Sequence, residues 1–148
     1  LWFDRDAEEA AAFYVSLLPN SRIGAISRYG PGAPLPEGTA LVVPLTLDGT
    51  PFALLNGGPH FRLTEAASIM VACDTQTEID RLWDRLTADG GAPGRCGWLK
   101  DRYGVSWQIF PSILPALMTG PHKARVVAAF MPMTKLDIAT IEAAARGA

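Results

Sequence analysis

DAEEAAAFYVSLL, residues 6–18, and TQTEIDRLWDRL, residues 75–86, are two versions of one helix. Each opens on a residue able to cap a helix, Asp6 or Thr75, with a glutamate three positions on, Glu9 or Glu78. In that arrangement the cap and the glutamate satisfy the free N–H groups of the first turn between them. Behind the caps, Ala10, Phe13, Tyr14, Leu17 and Leu18 in one copy and Ile79, Leu82, Trp83 and Leu86 in the other follow helical spacing, making one apolar stripe each. Pro19-Asn20 ends the first helix and Gly90-Gly91 the second. A constant offset lays Glu9 on Glu78 and Phe13-Tyr14 on Leu82-Trp83.

The flanks repeat as well. A short apolar strand precedes each helix, over 1–3 and 68–73. After the first helix, strands are predicted over 22–29, 39–47 and 51–55, with Asp48-Gly49 as the hairpin turn between the last two. After the second, strands over 96–100 and 105–110 flank a turn at Tyr103-Gly104, and this half is the less complete. The pattern is an α+β fold of two β-α-β-β-β modules, 1–58 and 68–110, joined by a linker over 59–67. Each half-sheet leaves one face uncovered, so the modules are expected to build a concave mixed sheet within the chain or across a dimer. A tail, 111–148, follows, with helices predicted over 123–130 and 135–145 around Met131-Pro132-Met133. Its apolar residues Val126, Val127, Phe130, Leu136, Ile138 and Ile141 need a surface to cover, in a homodimer or within the chain.

The 148 residues fit a single domain with a sizeable core. A composition 49% hydrophobic and 19% charged is that of a globular chain. The net charge of −2, without any Lys/Arg cluster, argues against nucleic acid and against an anionic membrane surface as partners. Cys73 and Cys96 lie far apart with no C-x-x-C pair, which points to a reducing cytoplasm. No apolar run approaches a membrane span and no signal peptide is read at the start. The chain opens directly on strand-like Leu1-Trp2-Phe3, without an initiator methionine.

Paired β-α-β-β-β modules resemble the vicinal-oxygen-chelate superfamily of glyoxalase I, extradiol dioxygenases and fosfomycin- and bleomycin-resistance proteins. AEEAAAFYVSLLPNS (7–21), LNGGPHF (55–61) and CGWLKDRYGVSWQIFP (96–111) together resemble its PhnB-like branch, often labelled 3-demethylubiquinone-9 3-methyltransferase. The label meets a physical objection. S-adenosylmethionine is usually held by a Gly-rich turn between a parallel strand and a helix. Here LNGGPHF precedes a linker and DGGAPGRCG (89–97) follows a helix. Methyltransferase activity is not expected.

The resemblance also frames Gln108. Superfamily members that do metal chemistry place His, Gln or Glu ligands on the inward faces of the first and last strands of each module. There the metal polarises paired substrate oxygens. Their last strand follows a D-x-x-G turn, with Glu four residues beyond the Gly. This chain has Asp101-Arg102-Tyr103-Gly104 and then Gln108, a neutral amide. The equivalent place in the first module falls on Ala53 or, two residues on, Leu55; the second module's first strand begins at Ser68, where His is expected. The remaining ligand would precede Leu1. No metal and no other cofactor are therefore expected, and Gln108 is an inward amide, bonding either a ligand or its neighbouring strands.

Other candidates are weighed alongside it. His60 in GGPHF is the one candidate catalytic residue, a general base or a loop histidine bonding backbone. Asn56 orients a ligand or caps the turn into Gly57-Gly58. Trp98 and Trp107 line an aromatic cavity or fill the core. Lys100 meets an anionic substrate or pairs with Asp101. Cys96, beside Arg95, is a candidate thiolate, whereas Cys73 is expected to be buried. The Pro/Gly-rich stretch 29–38 is a lid or an inert surface loop. The expected function is metal-independent binding of a small molecule; the alternative is a metal-dependent lyase, isomerase or dioxygenase.

Overall fold

Alternating apolar residues over β4 (Ala40–Leu47) put Val43, Leu45 and Leu47 on one face, where they are buried. The computed structural model describes residues 1–147, in two compact units, Leu1–Leu63 and Thr64–Ala148, divided inside the predicted linker. In the first unit, β1 (Trp2–Phe3) runs parallel to β5 (Thr50–Asn56), which is hairpinned to β4. The turn is the one foreseen: Asp48 and Gly49 both take positive φ, 43° and 79°, as the tight twisted hairpin requires. Two short strands, β2 (Arg22–Ile23) and β3 (Ser27–Arg28), complete the sheet against β4.

The single strand expected over 22–29 is thus interrupted, and Pro44 is the reason. Its carbonyl accepts from Gly24 N–H at 2.7 Å, so the side on which it has no N–H to give faces this strand. Three residues, 24–26, then stand opposite two, and the ladder resumes at Ser27 opposite Val42.

Helix α1 (Ala7–Leu17) covers the sheet through Ala7, Ala10, Ala11, Tyr14 and Leu17, its alanines letting it approach β4 and β5 closely. Its N-terminus corrects the sequence reading. Asp6 makes no side-chain cap; Asn56, from the end of β5, reaches across to accept from Ala7 N–H at 2.9 Å.

The second unit repeats the plan. Strand β6 (Ile69–Cys73) runs parallel to β9 (Ser106–Pro111), followed outward by β8 (Trp98–Lys100) and β7 (Ala92–Pro93). Strand β7 is the one not foreseen: it has two residues, one a proline, inside a glycine-rich turn sequence. Helix α2 (Gln76–Thr87) has the full capping box, Thr75 accepting from Glu78 N–H and Glu78 accepting from Thr75 N–H. Its Ile79, Leu82, Trp83 and Leu86 are buried with Leu99, Trp107 and Ile109 of the sheet.

The tail belongs to the second unit. A short α3 (Leu114–Leu117), not foreseen, leads to α4 (Lys123–Phe130) and α5 (Ile138–Arg146). Val126, Leu136 and Ile141 form their own buried cluster, with Phe110, Phe130 and Met133 packed against it. The tail is therefore covered within the chain. Gln76 ties it to α2, donating to Leu136 C=O and accepting from Ile138 N–H, while Cys96 and Gly97 N–H donate to Met133 and Thr134 C=O. Gly97, at φ 81°, has no room for a side chain between Ile109 C=O and Leu136. No helix among the described residues is long and apolar enough to cross a membrane.

Candidate functional site

The D-x-x-G turn decides which way β9 faces. Asp101 is 2% exposed, and its Oδ1 accepts from Tyr103 N–H (2.9 Å) and Val105 N–H (3.0 Å). Its Oδ2 accepts from Trp107 Nε1 at 2.8 Å. Trp107 is thereby pinned inward, fully buried with Leu99, its cross-strand neighbour, and Ile109. Strand alternation then turns Ser106, Gln108 and Phe110 to the opposite face.

On that open face the structure brings together four of the predicted residues. Gln108 pairs with Met70 of β6 on one side and Trp98 of β8 on the other. Its Nε2 donates to Ser68 Oγ at 2.8 Å, which leaves Oε1 without a protein donor among the described residues. Lys100 lies two residues beyond Trp98, directly opposite Ser106. Its Nζ meets Glu65 at 2.6 Å, the partner in place of the Asp101 proposed from the sequence. Hydrogen bonding to Lys100, foremost, holds the Glu65 carboxyl below its ordinary range. Met70, 60% exposed, completes the surface.

The other candidates lie elsewhere. Trp107 is core on the far face. Asn56 is 1% exposed and braces the first unit: Oδ1 accepts from Ala7 N–H, Nδ2 donates to Ala40 C=O, and its backbone carbonyl accepts from Tyr29 Oη. His60 is exposed in the first unit and makes no hydrogen bond or ion pair with the described residues. Its loop is shaped by Trp2, whose ring occupies the space a side chain on Gly57 would need and whose Nε1 donates to Gly58 C=O. Cys96 Sγ donates to Met131 C=O at 3.2 Å. Cys73 is buried as expected, and burial, with Glu78 adding to it, pushes its thiol up to about 11.

The donor set does not fit a divalent metal. Leu55 pairs with both Trp2 and Val42 as Gln108 pairs with both Met70 and Trp98, so Leu55 takes the equivalent place in the first sheet. A leucine there, with a neutral amide and a serine already bonded to each other in the second unit, supplies neither carboxylate nor imidazole. Among the described residues no group of three or more His, Cys, Asp or Glu side chains could hold a metal ion.

Two residues were missed. Ser106 is 2% exposed and its Oγ has no hydrogen-bond partner among the described residues, a deficit worth about 1–3 kcal/mol for a buried hydroxyl. Its place two residues before Gln108 was the available signal. Glu65 sits in the linker, where no periodicity marks it.

The two β-α-β-β-β units are the plan expected of a PhnB-like protein. A family model described as 3-demethylubiquinone-9 3-methyltransferase matches residues 1–110, and the chain belongs to that family. It is similar to the structure of a PhnB protein from Bacillus cereus, itself described as a 3-demethylubiquinone-9 3-methyltransferase. The two are 39% identical with a TM-score of 0.68, over 74% of this chain and 93% of that one. Protein PA1353 from Pseudomonas aeruginosa shares the fold at 21% identity and a TM-score of 0.60, over 75% of this chain and 93% of its own. No curated protein matches.

Proposed function

We propose that this chain is a metal-independent small-molecule binding protein acting as a homodimer, without methyl-transfer chemistry. One observation carries the reading: Gln108 Oε1, without a donor among the described residues, lies between Trp98 and Met70 with Lys100 nearby. A few placed polar groups on an apolar floor suit an organic ligand, and the flexible Met70 thioether adapts to its shape. The neutral groups of Gln108 and Ser68, and the absence of any ligand atom on the Leu55 side chain, support independence from metal. Against methyl transfer stand the links between strand and helix beside each parallel pair, Asp4-Arg5-Asp6 and Asp74-Thr75, which contain no glycine. Glu78 already accepts from Asp74 and Thr75 N–H, so a carboxylate occupies the place a phosphate or carboxylate ligand would need. Exposed Phe61 (66%) and Met70 support a second copy as cover.

The test is thermal unfolding of chelator-stripped protein with Mn²⁺, Ni²⁺, Zn²⁺, Mg²⁺, S-adenosylmethionine or a panel of small organic molecules. Any ligand specific to the native state raises the midpoint. Stabilisation by an organic molecule alone supports the reading. A clear rise with one metal overturns it in favour of a lyase, isomerase or dioxygenase. Sedimentation of the same samples gives the oligomeric state, and a monomer at all concentrations removes the homodimer.

A further inference from the structure

Beside the Gln108 strip, the second unit holds a cavity of about 200 Å³ between β7, β8 and the 64–68 segment. Pro93, Gly94 and Trp98 make its wall, and Glu65, Lys100 and Ser106 supply its polar groups. Gly94 donates its N–H to Trp98 C=O at 2.7 Å, an approach that leaves no space for a side chain at 94. Lys100 and Ser106 are direct cross-strand partners, so the ammonium stem and the hydroxyl enter the cavity side by side. The Ser106 hydroxyl, buried in the cavity wall, finds no hydrogen-bond partner among the described residues. Glu65, by contrast, meets Lys100 from a mobile-length exposed side chain, 67% exposed.

We propose that this cavity binds a single-ring carboxylate, which takes over Lys100 from Glu65, accepts from the Ser106 hydroxyl once that exchange uncovers it, and lays its ring against Trp98. Size admits the ring: an enclosed apolar cavity of about 150 Å³ accommodates benzene, and this one, partly open to solvent, has room for one ring with a one-carbon carboxylate. Charge selects the anion, because Lys100 is the cavity's cation and Glu65 stands where a ligand carboxylate would. Glu65 is thus an internal competitor for the site. The inference rests on the reading of the chain as a small-molecule binder and names the ligand class for it.

The probe is benzoate, with benzamide as its neutral counterpart, titrated into chelator-treated full-length protein and followed by the indole N–H signal of Trp98 and the amide of Gly94. Benzoate is expected to shift both saturably in the millimolar range or below, and benzamide much more weakly. Glu65→Gln, an exposed change, is expected to tighten benzoate about two- to fivefold, the strength of an exposed ion pair. Lys100→Met, which keeps the stem, is expected to abolish the preference for benzoate. Equal binding of both probes, no tightening in Glu65→Gln, or no shift with benzoate each overturns the proposal. Adding Zn²⁺ or Mn²⁺ to the same samples separates the two claims. A metal-induced shift of the Gln108 side-chain amide overturns the metal-independent reading and leaves the benzoate result standing by itself.

Discussion

Asn56 and Asp101 are polar residues whose work is internal. Each gathers donors that the backbone would otherwise bury unpaired, and each sits at a junction, Asn56 between β5, α1 and β4, Asp101 between β8 and β9. Asn56→Ala orphans Ala7 N–H and Ala40 C=O, so urea unfolding should show a loss of about 1–3 kcal/mol for each group left unpaired. Asn56→Asp should not rescue it fully, since it keeps the acceptor for Ala7 but has no donor for Ala40. The cysteines give a second test at this scale. With the Cys73 thiol pushed up to about 11 and buried, little thiolate exists at neutral pH. Alkylation of native protein followed by peptide mass mapping should therefore modify Cys96 first, and Cys73 only after unfolding.

At the scale of elements, the sequence disclosed what repeats and hid what does not. Both helices, the Asp48-Gly49 hairpin and the turn at Tyr103-Gly104 were legible because periodicity and turn chemistry are local, whereas the inward side of β9 was left open and falls to Trp107. The break between β2 and β3 was not, because its cause, Pro44, lies on a neighbouring strand. Nor was the cap of α1: Asp6 has the right identity, yet Asn56, fifty residues on, takes the role. Within the candidate site, Gln108 stood out as a polar residue in an apolar run, whereas Glu65 reaches Lys100 only through the fold. The tail's attachment is equally non-local and can be tested. Gln76→Ala removes both bonds to residues 136 and 138, and should speed amide exchange in α5 while leaving α1 unchanged. Acid should act on the same attachment. Hydrogen bonding to Lys135, and then to Gln76, depresses the Asp80 carboxyl; bonding to Thr140 depresses Asp137, the cap of α5. Lowered carboxylates add stability that is present above their unfolded value, about 3.9, and is lost as pH falls through their folded values. Both groups face solvent, so the contribution is small and screened by salt. Protection factors in α5, taken relative to the intrinsic exchange rates at each pH, should therefore fall on acidification below about pH 4, and less so in high salt.

For the whole molecule, the tail distinguishes the two repeats. The family model ends at residue 110, yet Leu136 packs against Gly97, and Met133 and Thr134 accept the N–H groups at the start of β8. Truncation after Ser112 should lower the midpoint of the second unit, with exchange protection lost first in β8 and β9. A truncated chain as stable as the full one would show that those contacts add nothing to the sheet. Proline has a further consequence at this scale. One sheet ends in a ladder broken opposite Pro44, the other in a two-residue strand containing Pro93. Neither of these two edges offers the long unpaired row of N–H and C=O groups on which a foreign strand could template itself, whereas the opposite edge of the second sheet is the five-residue β6. Proline thus guards these two edges, and replacing both Pro44 and Pro93 with threonine should raise amyloid-dye binding on prolonged incubation above that of the unchanged chain.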